Sequence, residues 1–346
     1  MIDWIKPLRA ALATEGRAVL VTVAATRGSA PREAGARMIV TPGRNHGTIG
    51  GGHLEFESIR IARDALGKAN VGAWLARFPL AARLGQCCGG VATVLFQTFD
   101  AGADAVLGMI ARRIEAGETL ALATAVAPSS LPRPVVSDTK LPSAIAAAAN
   151  EVLRDSRGPV LVEDAGTTWF VERAARNDFR VAVFGNGHVG RALIQVLGAL
   201  PCAVTWIDER EQDFPASVPD NVEIVATDVP EAEVRAASAA SMFLVMTHNH
   251  PLDFELMAAI ARRADFAYAG MIGSAAKRAQ MERQLARQGI DAATVARIVC
   301  PIGIAGIAGR EPGAIAVAVA AELLQQRECV VAARYPTRAP RAESKR

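Results

Sequence analysis

The sequence predicts an α/β protein of two domains, and three observations support this prediction. The chain has 346 residues, of which 51% are hydrophobic, enough for about two domains of roughly 150 residues each. After residue 179, short apolar runs alternate with helical segments, which is typical of a parallel sheet. Before that point, strand-like runs are joined by glycine-rich turns. We therefore expect a smaller α/β domain with a mixed sheet at 1–175 and a parallel-sheet domain at 179–330.

The composition argues against several classes of protein. Charged residues make up 21% of the chain and the net charge is +3, so a nucleic-acid partner is not expected. No apolar run approaches the ~18 residues of a membrane helix, and residues 1–13 lack the pattern of a secretion signal. We therefore expect a soluble, cytoplasmic protein. Residues 336–346 are rich in arginine and lack apolar periodicity, which predicts a disordered tail.

The cysteines do not form a recognisable framework. There are 5 of them, an odd number, and no CxxC or HExxH motif occurs. Such a set is typical of free thiols rather than of a disulfide scaffold, and it offers no spacing for a structural zinc site. We therefore expect neither disulfides nor a structural metal ion.

Several elements of the first domain can be predicted in order. Residues 1–13 have the pattern of an amphipathic helix. β-Branched residues at 18–24 and alternating apolar residues at 91–99 predict two strands. The other predicted elements are strands at 37–41 and 119–127, helices at 53–68 and 104–117, and a strand pair at 161–171 that turns at 164–166.

The second domain opens with a strand at 180–184, and strands and helices then alternate. The other predicted elements are strands at 204–207, 243–246 and 267–271, a strand that ends near 299, and helices at 191–200, 275–288 and 312–326.

A glycine-rich turn, GNGHVG at 185–190, lies between the first strand and the first helix of this domain. In this context Gly185 makes the tight turn, Gly187 lets a phosphate approach the backbone, and Gly190 allows the helix to pack on the strand. The N-terminus of the helix predicted at 191–200 then faces an anion, and His188 lies in the turn before it. The pattern predicts a Rossmann-like domain that binds a nucleotide-like, phosphorylated ligand. In the alternative reading, the glycines serve only packing.

Three further groups of residues complete the predicted site of this domain. Asp208 ends the next strand, where a ribose-binding acid is expected. His248 and His250 follow the strand at 243–246, and in extended backbone they would share one face as a metal pair or a phosphate contact. Alternatively, this is an ordinary loop in which Asp253 caps the following helix.

Ser274 and Lys277 lie at the start of the helix at 275–288. A basic residue there opposes the usual helix-dipole preference, which makes sense if an anion binds beside it. The alternative is a solvated cationic face.

Three loops of the first domain are unusual. They are GSAPR at 28–32, GTIGGG at 47–52 with Glu55, and GQCCGG at 85–90. The glycines, including Gly50, Gly51 and Gly52, allow close approach of a bulky ligand. Arg32 offers a partner for phosphate or an oxo-anion, and Cys87 and Cys88 offer soft-metal or sulfur chemistry. Taken singly, Glu55 is better explained as a solvated or helix-capping acid, and either cysteine can be a small buried hydrophobic side chain.

These three loops, together with the GNGHVG, THNHPLD, GMIGS and CPIGI segments, resemble the XdhC/CoxI family over nearly the whole chain. The resemblance implies a chaperone for molybdenum cofactor rather than an enzyme. Such a protein binds the cofactor, supports its sulfuration by a NifS-type cysteine desulfurase, and inserts it into the molybdenum-binding subunit of xanthine dehydrogenase. It further implies a cofactor of the molybdopterin type, with the cytidine dinucleotide form left open. We also expect a homodimer.

Carried onto this chain, the resemblance offers Cys87 or Cys88 for contact with molybdenum or sulfur, without a choice between them. Gly185, Gly187 and Gly190 suit the pterin phosphate or an attached nucleotide. Cys300 departs from the expected pattern, so no role is transferred to that segment. The competing hypothesis is an NAD(P)-dependent oxidoreductase that uses the parallel-sheet domain with His248 or His250 as the acid.

Overall fold

A computed structural model describes residues 4–68, 72–80, 89–127, 142–155, 158–175 and 177–334. The chain divides into two compact units, and the second begins at Asn177. Cys87, Cys88 and the segment 336–346 lie outside the described residues, so the predictions about them stay predictions.

In the described part of the first unit, the larger sheet has five strands in the order β3-β2-β1-β5-β4. They are β1 (Arg17–Arg27), β2 (Arg37–Val40), β3 (Asn45–Gly47), β4 (Ala73–Pro79) and β5 (Val91–Asp100). A smaller sheet has the order β6-β8-β7 and consists of β6 (Leu120–Val126), β7 (Val160–Asp164) and β8 (Thr167–Ala174). The described pairings in both sheets are antiparallel, so the α/β fold is confirmed but the expected mixed sheet is antiparallel.

Four α-helices are described in this unit, and three of them cover the two faces of the larger sheet. They are α1 (Ile5–Glu15), α2 (Gly52–Leu66), α3 (Asp104–Glu115) and α4 (Ser143–Asp155). Alternate residues of a strand point to opposite faces. Accordingly Leu20 packs in the core formed with α1 and α3, whereas Val19 and Val21 pack in the core formed with α2. Helix α4 packs on the smaller sheet.

The second unit contains a parallel sheet in the order β11-β10-β9-β12-β13-β14, as far as the chain is described. Its strands are β9 (Arg180–Phe184), β10 (Ala203–Asp208), β11 (Val222–Ala226), β12 (Met242–Val245), β13 (Tyr268–Met271) and β14 (Ile298–Val299). Its helices are α5 (His188–Gly198), α6 (Pro230–Ala236), α7 (His250–Arg263), α8 (Ala275–Arg287), α9 (Ala292–Ala296) and α10 (Pro312–Arg334). This strand order is the doubly wound Rossmann arrangement, which confirms the predicted fold class.

Both faces of the parallel sheet are buried. Val181 and Val183 of β9 pack in the core that includes α5 and α10, and Ala182 and Phe184 pack in the core that includes α7 and α8. Burial on both faces explains why the strands read as continuous apolar runs. Among the described helices, none has the length and apolar character needed to cross a membrane.

The observed elements differ from the predicted ones at several places. Helix α5 begins at His188 rather than at 191, and α10 continues to Arg334. Six of the described elements were not predicted: β3, β4, β11, α4, α6 and α9. The strands among them are short or only partly buried, so they lack the apolar signal on which strand prediction depends.

Candidate functional site

The fingerprint glycines of the second unit occupy different environments. Gly185 has a φ of 121°, and a Cβ there would lie 2.3 Å from the carbonyl oxygen of Met246. A Cβ on Gly190 would lie 2.3 Å from the carbonyl oxygen of Gly185, so this glycine lets α5 pack on β9. A Cβ on Gly187 would meet nothing within 4 Å among the described residues. Packing therefore accounts for Gly185 and Gly190, whereas Gly187 leaves open space at the start of α5.

A cleft with a volume of about 290 Å³ lies at the carboxyl ends of β9, β10 and β12. In a doubly wound sheet the strand order reverses between β9 and β12. Ligands bind at the carboxyl ends of the strands at this point. Of the predicted site residues, Gly185, Asp208 and His248 line this cleft. His188 lies at the exposed start of α5 but is not among the cleft-lining residues.

Asp208 is buried and its carboxylate is fully engaged by donors. Its Oδ2 accepts hydrogen bonds from the backbone N of Asn186 at 2.7 Å and from Nη2 of Arg210 at 3.0 Å. Its Oδ1 accepts from the backbone N of Arg210 at 3.0 Å and from Nε at 2.8 Å. Burial alone would raise the pKa of Asp208, but these hydrogen bonds outweigh it and lower the pKa below its ordinary value. Asp208 therefore fixes the glycine turn to the end of β10.

His248 and His250 do not both lie in extended backbone, contrary to the geometry that would place them on one face. Helix α7 begins at His250, and the side chain of Asn249 caps it by accepting a hydrogen bond from the N of Leu252 at 3.4 Å. The N-cap is therefore Asn249 rather than Asp253. His248 stays on the cleft, with Nε2 at 3.8 Å from Oε1 of Glu209. Within the described ranges, no group of three or more His, Cys, Asp or Glu residues is arranged to hold a metal ion.

Lys277 is paired with a buried carboxylate. Its Nζ lies 2.6 Å from Oδ2 of Asp253, which is completely buried, and the lysine side chain itself is 11% exposed. The other oxygen of Asp253 accepts hydrogen bonds from the N and Oγ1 of Thr247 at 3.0 and 2.7 Å. Lys277 thus ties α8 to the loop that lines the cleft. Ser274 caps α8 through a hydrogen bond from the N of Lys277 at 3.3 Å, and anion binding by this pair stays a prediction.

Two of the unusual loops of the first unit, together with Gly89 and Gly90, lie close together. A Cβ on Gly90 would lie 2.3 Å from the carbonyl oxygen of Ser29, and one on Gly28 would lie 3.2 Å from the Cα of Gly90. A Cβ on Gly50 would lie 2.6 Å from the Cβ of Pro31 and 3.1 Å from the Cγ of Arg32. The structure therefore brings 28–32, 50–55 and 89–90 to one place, and only glycine permits these approaches.

Glu55 organises the GTIGGG loop from within α2. Its Oε2 accepts hydrogen bonds from Oγ1 of Thr48 at 2.5 Å and from the backbone N of Ile49 and Gly51 at 2.9 and 3.1 Å. Burial raises the pKa of Glu55, but these donors outweigh it and the net shift is downward. The carboxylate thus holds the loop that precedes the helix, and contact between Glu55 and a cofactor stays a prediction.

Of the remaining predicted residues of this unit, Gly51 and Arg32 are accessible to a ligand. Gly50, Gly51 and Gly52 have φ values of 119°, 70° and 64°, and a Cβ on Gly51 would meet nothing within 4 Å among the described residues. The Arg32 side chain is 35% exposed and lies 3.3 Å from Glu33. Cys87 and Cys88, which immediately precede Gly89 in the sequence, lie outside the described residues.

Two family models match the chain. One, described as the XdhC and CoxI family, matches residues 11–78, and the other, described as the XdhC Rossmann domain, matches residues 181–323. The chain belongs to the XdhC and CoxI family. No curated protein sequence matches it significantly.

A solved structure is similar to this XdhC-family chain in fold. A protein from Bacillus halodurans, described as a xanthine dehydrogenase, has 19% identity and a TM-score of 0.69, with 95% of this chain and 96% of that chain covered. A Rossmann-fold NAD(P)-binding family protein from Shigella flexneri has 16% identity and a TM-score of 0.23, with 31% and 59% covered. The first similarity supports the same fold, and the second is too low to support any conclusion.

Sequence reasoning missed several acidic residues of the cleft in this XdhC-family fold. Glu209, Asp228, Glu231 and Glu255 line it beside Asp208. Of these four residues, only Glu209 could have been identified from its position in the sequence, because it directly follows the predicted end of a strand. The other three lie in or beside helices that the fold brings to the same sheet edge.

Proposed function

We propose that this protein is an accessory factor that binds molybdenum cofactor, supports its sulfuration by a NifS-type cysteine desulfurase, and inserts it into the molybdenum-binding subunit of xanthine dehydrogenase. The observation behind this proposal is the convergence of the glycine-rich loops in the first unit, where Gly28 meets Gly90 and Gly50 meets Arg32. Membership of the XdhC and CoxI family supports an accessory role. A cytoplasmic homodimer is part of the proposal.

The residues at this place fit a large anionic group. Helix α2 starts at Gly52, the last of three consecutive glycines with positive φ, and the N-terminus of a helix favours an anion. The Arg32 guanidinium adds a cation that can bind phosphate or an oxo-anion in bidentate fashion. A Cβ on Gly51 would meet no atom of the described residues within 4 Å, which leaves room for close approach of a ligand to the backbone.

The proposed division of labour follows from side-chain chemistry. Arg32 and the start of α2 would bind the phosphate of the pterin, and Cys87 or Cys88 would contact molybdenum or sulfur, because thiolates prefer soft partners. When bound, the cofactor supplies the redox centre of the target enzyme. Glu55 would act indirectly, because its carboxylate already holds the loop that presents Gly51.

The first experiment measures molybdenum and pterin in protein purified from a host that makes the cofactor. The wild type is compared with Cys87→Ala and Cys88→Ala, and Cys329→Ala, an exposed cysteine of the second unit, is the matched control. We expect bound molybdenum and pterin in the wild type and the control, and loss in one of the two loop variants. Wild-type protein without either component contradicts the proposal.

A second candidate function is an NAD(P)-dependent oxidoreductase, favoured by one observation: His248 lines the Rossmann cleft and is 54% exposed. A side chain in this position could exchange a proton with a ligand. Titration with reduced nicotinamide cofactor, followed by fluorescence, tests it. Saturable binding together with hydride transfer that is lost in His248→Gln and kept in Cys87→Ala would favour this function over the first.

A further inference from the structure

The Rossmann cleft of the second unit contains a carboxylate that the fold leaves available. Sequence position assigns the ribose-binding acid to Asp208, but the four hydrogen bonds from Asn186 and Arg210 use both of its oxygens. A carboxylate offers about four acceptor sites. Asp208 therefore has no capacity for the two hydroxyl groups of a ribose unless the glycine turn is released.

Glu209 is the next residue and lies at the same end of β10. Its side chain lines the cleft and is 51% exposed. Within the described part of the chain, no group donates a hydrogen bond to its carboxylate; Nε2 of His248 lies 3.8 Å away, beyond hydrogen-bonding distance. Glu209 can therefore accept two hydrogen bonds from a ligand.

The charge around Glu209 restricts the ligand further. Asp228, Glu231 and Glu255 also line the cleft, and none of the lining residues is lysine or arginine, as far as the chain is described. The nearby Arg210 is engaged: it binds Asp208 through Nε and Nη2, and its Nη1 lies 3.2 Å from Asp213. A phosphate on the ribose 2′-oxygen would face several carboxylates, with no lysine or arginine of the described cleft lining to bind it.

The start of α5, which follows the glycine turn that begins at the cleft-lining Gly185, offers a place for a diphosphate. Gly187 is the N-cap of this helix, and a Cβ there would meet no described atom within 4 Å. Backbone N–H groups at a helix N-terminus bind phosphate. The glycine turn and Glu209 thus suit the two parts of one molecule, a diphosphate and an unsubstituted ribose.

We propose that the cleft binds a nucleotide whose ribose carries free 2′- and 3′-hydroxyl groups, and that Glu209 rather than Asp208 recognises this diol and rejects a 2′-phosphate. This site lies entirely in the second unit. It is independent of the molybdenum-cofactor proposal, because that proposal depends on the loops of the first unit.

Calorimetric titration of the full chain with ADP-ribose and with its 2′-phosphorylated analogue tests the inference. We expect ADP-ribose to bind at least tenfold more tightly than the analogue. In Glu209→Gln the affinity for ADP-ribose falls about tenfold, because an amide accepts the diol with only one oxygen and without charge. Glu223→Gln, which removes the same charge from an exposed position of β11 outside the cleft lining, leaves it unchanged.

A variant designed to reverse the preference between the two probes provides a second test. Glu209→Arg places a cation where the 2′-phosphate would lie, so the analogue should then bind more tightly than ADP-ribose. Absence of ADP-ribose binding in the wild type, equal affinity for the two probes, or unchanged affinity in Glu209→Gln would each overturn the inference. None of these results affects the molybdenum and pterin measurement, so the two proposals fail separately.

Discussion

Nζ of Lys277 lies 2.6 Å from a carboxylate oxygen of Asp253, whose side chain is completely buried. The pair joins α8 to α7, and Asp253 in turn holds Thr247 at the edge of the cleft. A charge in this position needs its partner, because removal of one member leaves the other buried and uncompensated. The pair therefore positions the cleft loop.

Lys277→Ala should destabilise the second unit by about 3–5 kcal/mol, because it leaves the carboxylate of Asp253 buried without a cation. Urea unfolding followed by circular dichroism measures this. Arg287→Ala, which removes an exposed cation from the same helix, should change stability by less than about 0.5 kcal/mol. The double variant Asp253→Asn with Lys277→Met should recover part of the loss, since neither charge remains. A Lys277→Ala protein as stable as the wild type would show that the pair is not structural.

Two glycines of the fingerprint should respond differently to the same substitution. Gly190→Ala places a Cβ 2.3 Å from the carbonyl oxygen of Gly185 and should lower stability by about 2–3 kcal/mol. Gly187→Ala meets no described atom within 4 Å and has a φ of −79°, so its stability should match the wild type. We expect Gly187→Ala instead to weaken ADP-ribose binding about tenfold, because the added methyl group occupies the space for phosphate. Thermal unfolding and calorimetry, run on both variants, separate the two effects.

The hydrogen-bonded carboxylate of Asp208 should make stability depend on pH. Because its pKa is lowered in the folded state, its contribution is present above the unfolded pKa of about 4 and is lost as pH falls through the folded pKa. Asp208→Asn should therefore cost about 2 kcal/mol at pH 7 and progressively less below pH 4. Asp220→Asn, at an exposed position, is the control. A cost that does not change with pH would contradict this assignment.

Buried and exposed cysteines of the second unit should differ in reactivity. Burial raises the pKa of the Cys202 thiol to about 11, whereas Cys329 is exposed. At pH 8 iodoacetamide should modify Cys329 in the native protein and Cys202 only in denaturant, because the thiolate is the nucleophile. Peptide mass spectrometry reads out both sites in one sample. Modification of both sites at equal rates in the native state would disprove the burial of Cys202.

The raised pKa of Cys202 should also make stability depend on pH. A cysteine of the unfolded chain ionises near pH 8.5, whereas the buried thiol ionises at about pH 11, so the free energy of unfolding should fall as the pH rises from about 8.5 to 11.

Local sequence patterns were enough to predict the Rossmann domain. Val181–Phe184 followed by GNGHVG specifies a strand, a tight turn and a helix, because the strand is buried on both faces and the glycines permit conformations that other residues cannot adopt. The glycine-rich loops of the first unit were recognised in the same way. Short edge elements such as β3 and partly buried β4 were missed, because solvent exposure removes the apolar pattern.

Side-chain pairing was decided only by the tertiary structure. Asp208 has the sequence position of a ribose acid, yet the backbone N of Asn186, 22 residues away, and its neighbour Arg210 occupy its oxygens. From its place in the sequence, Lys277 was predicted to bind an anion. In the folded protein α8 packs beside Asp253, and Lys277 is paired with that carboxylate. The physical reason is that a local pattern fixes backbone conformation, whereas the partner of a charged group depends on which distant elements pack against it and exclude water.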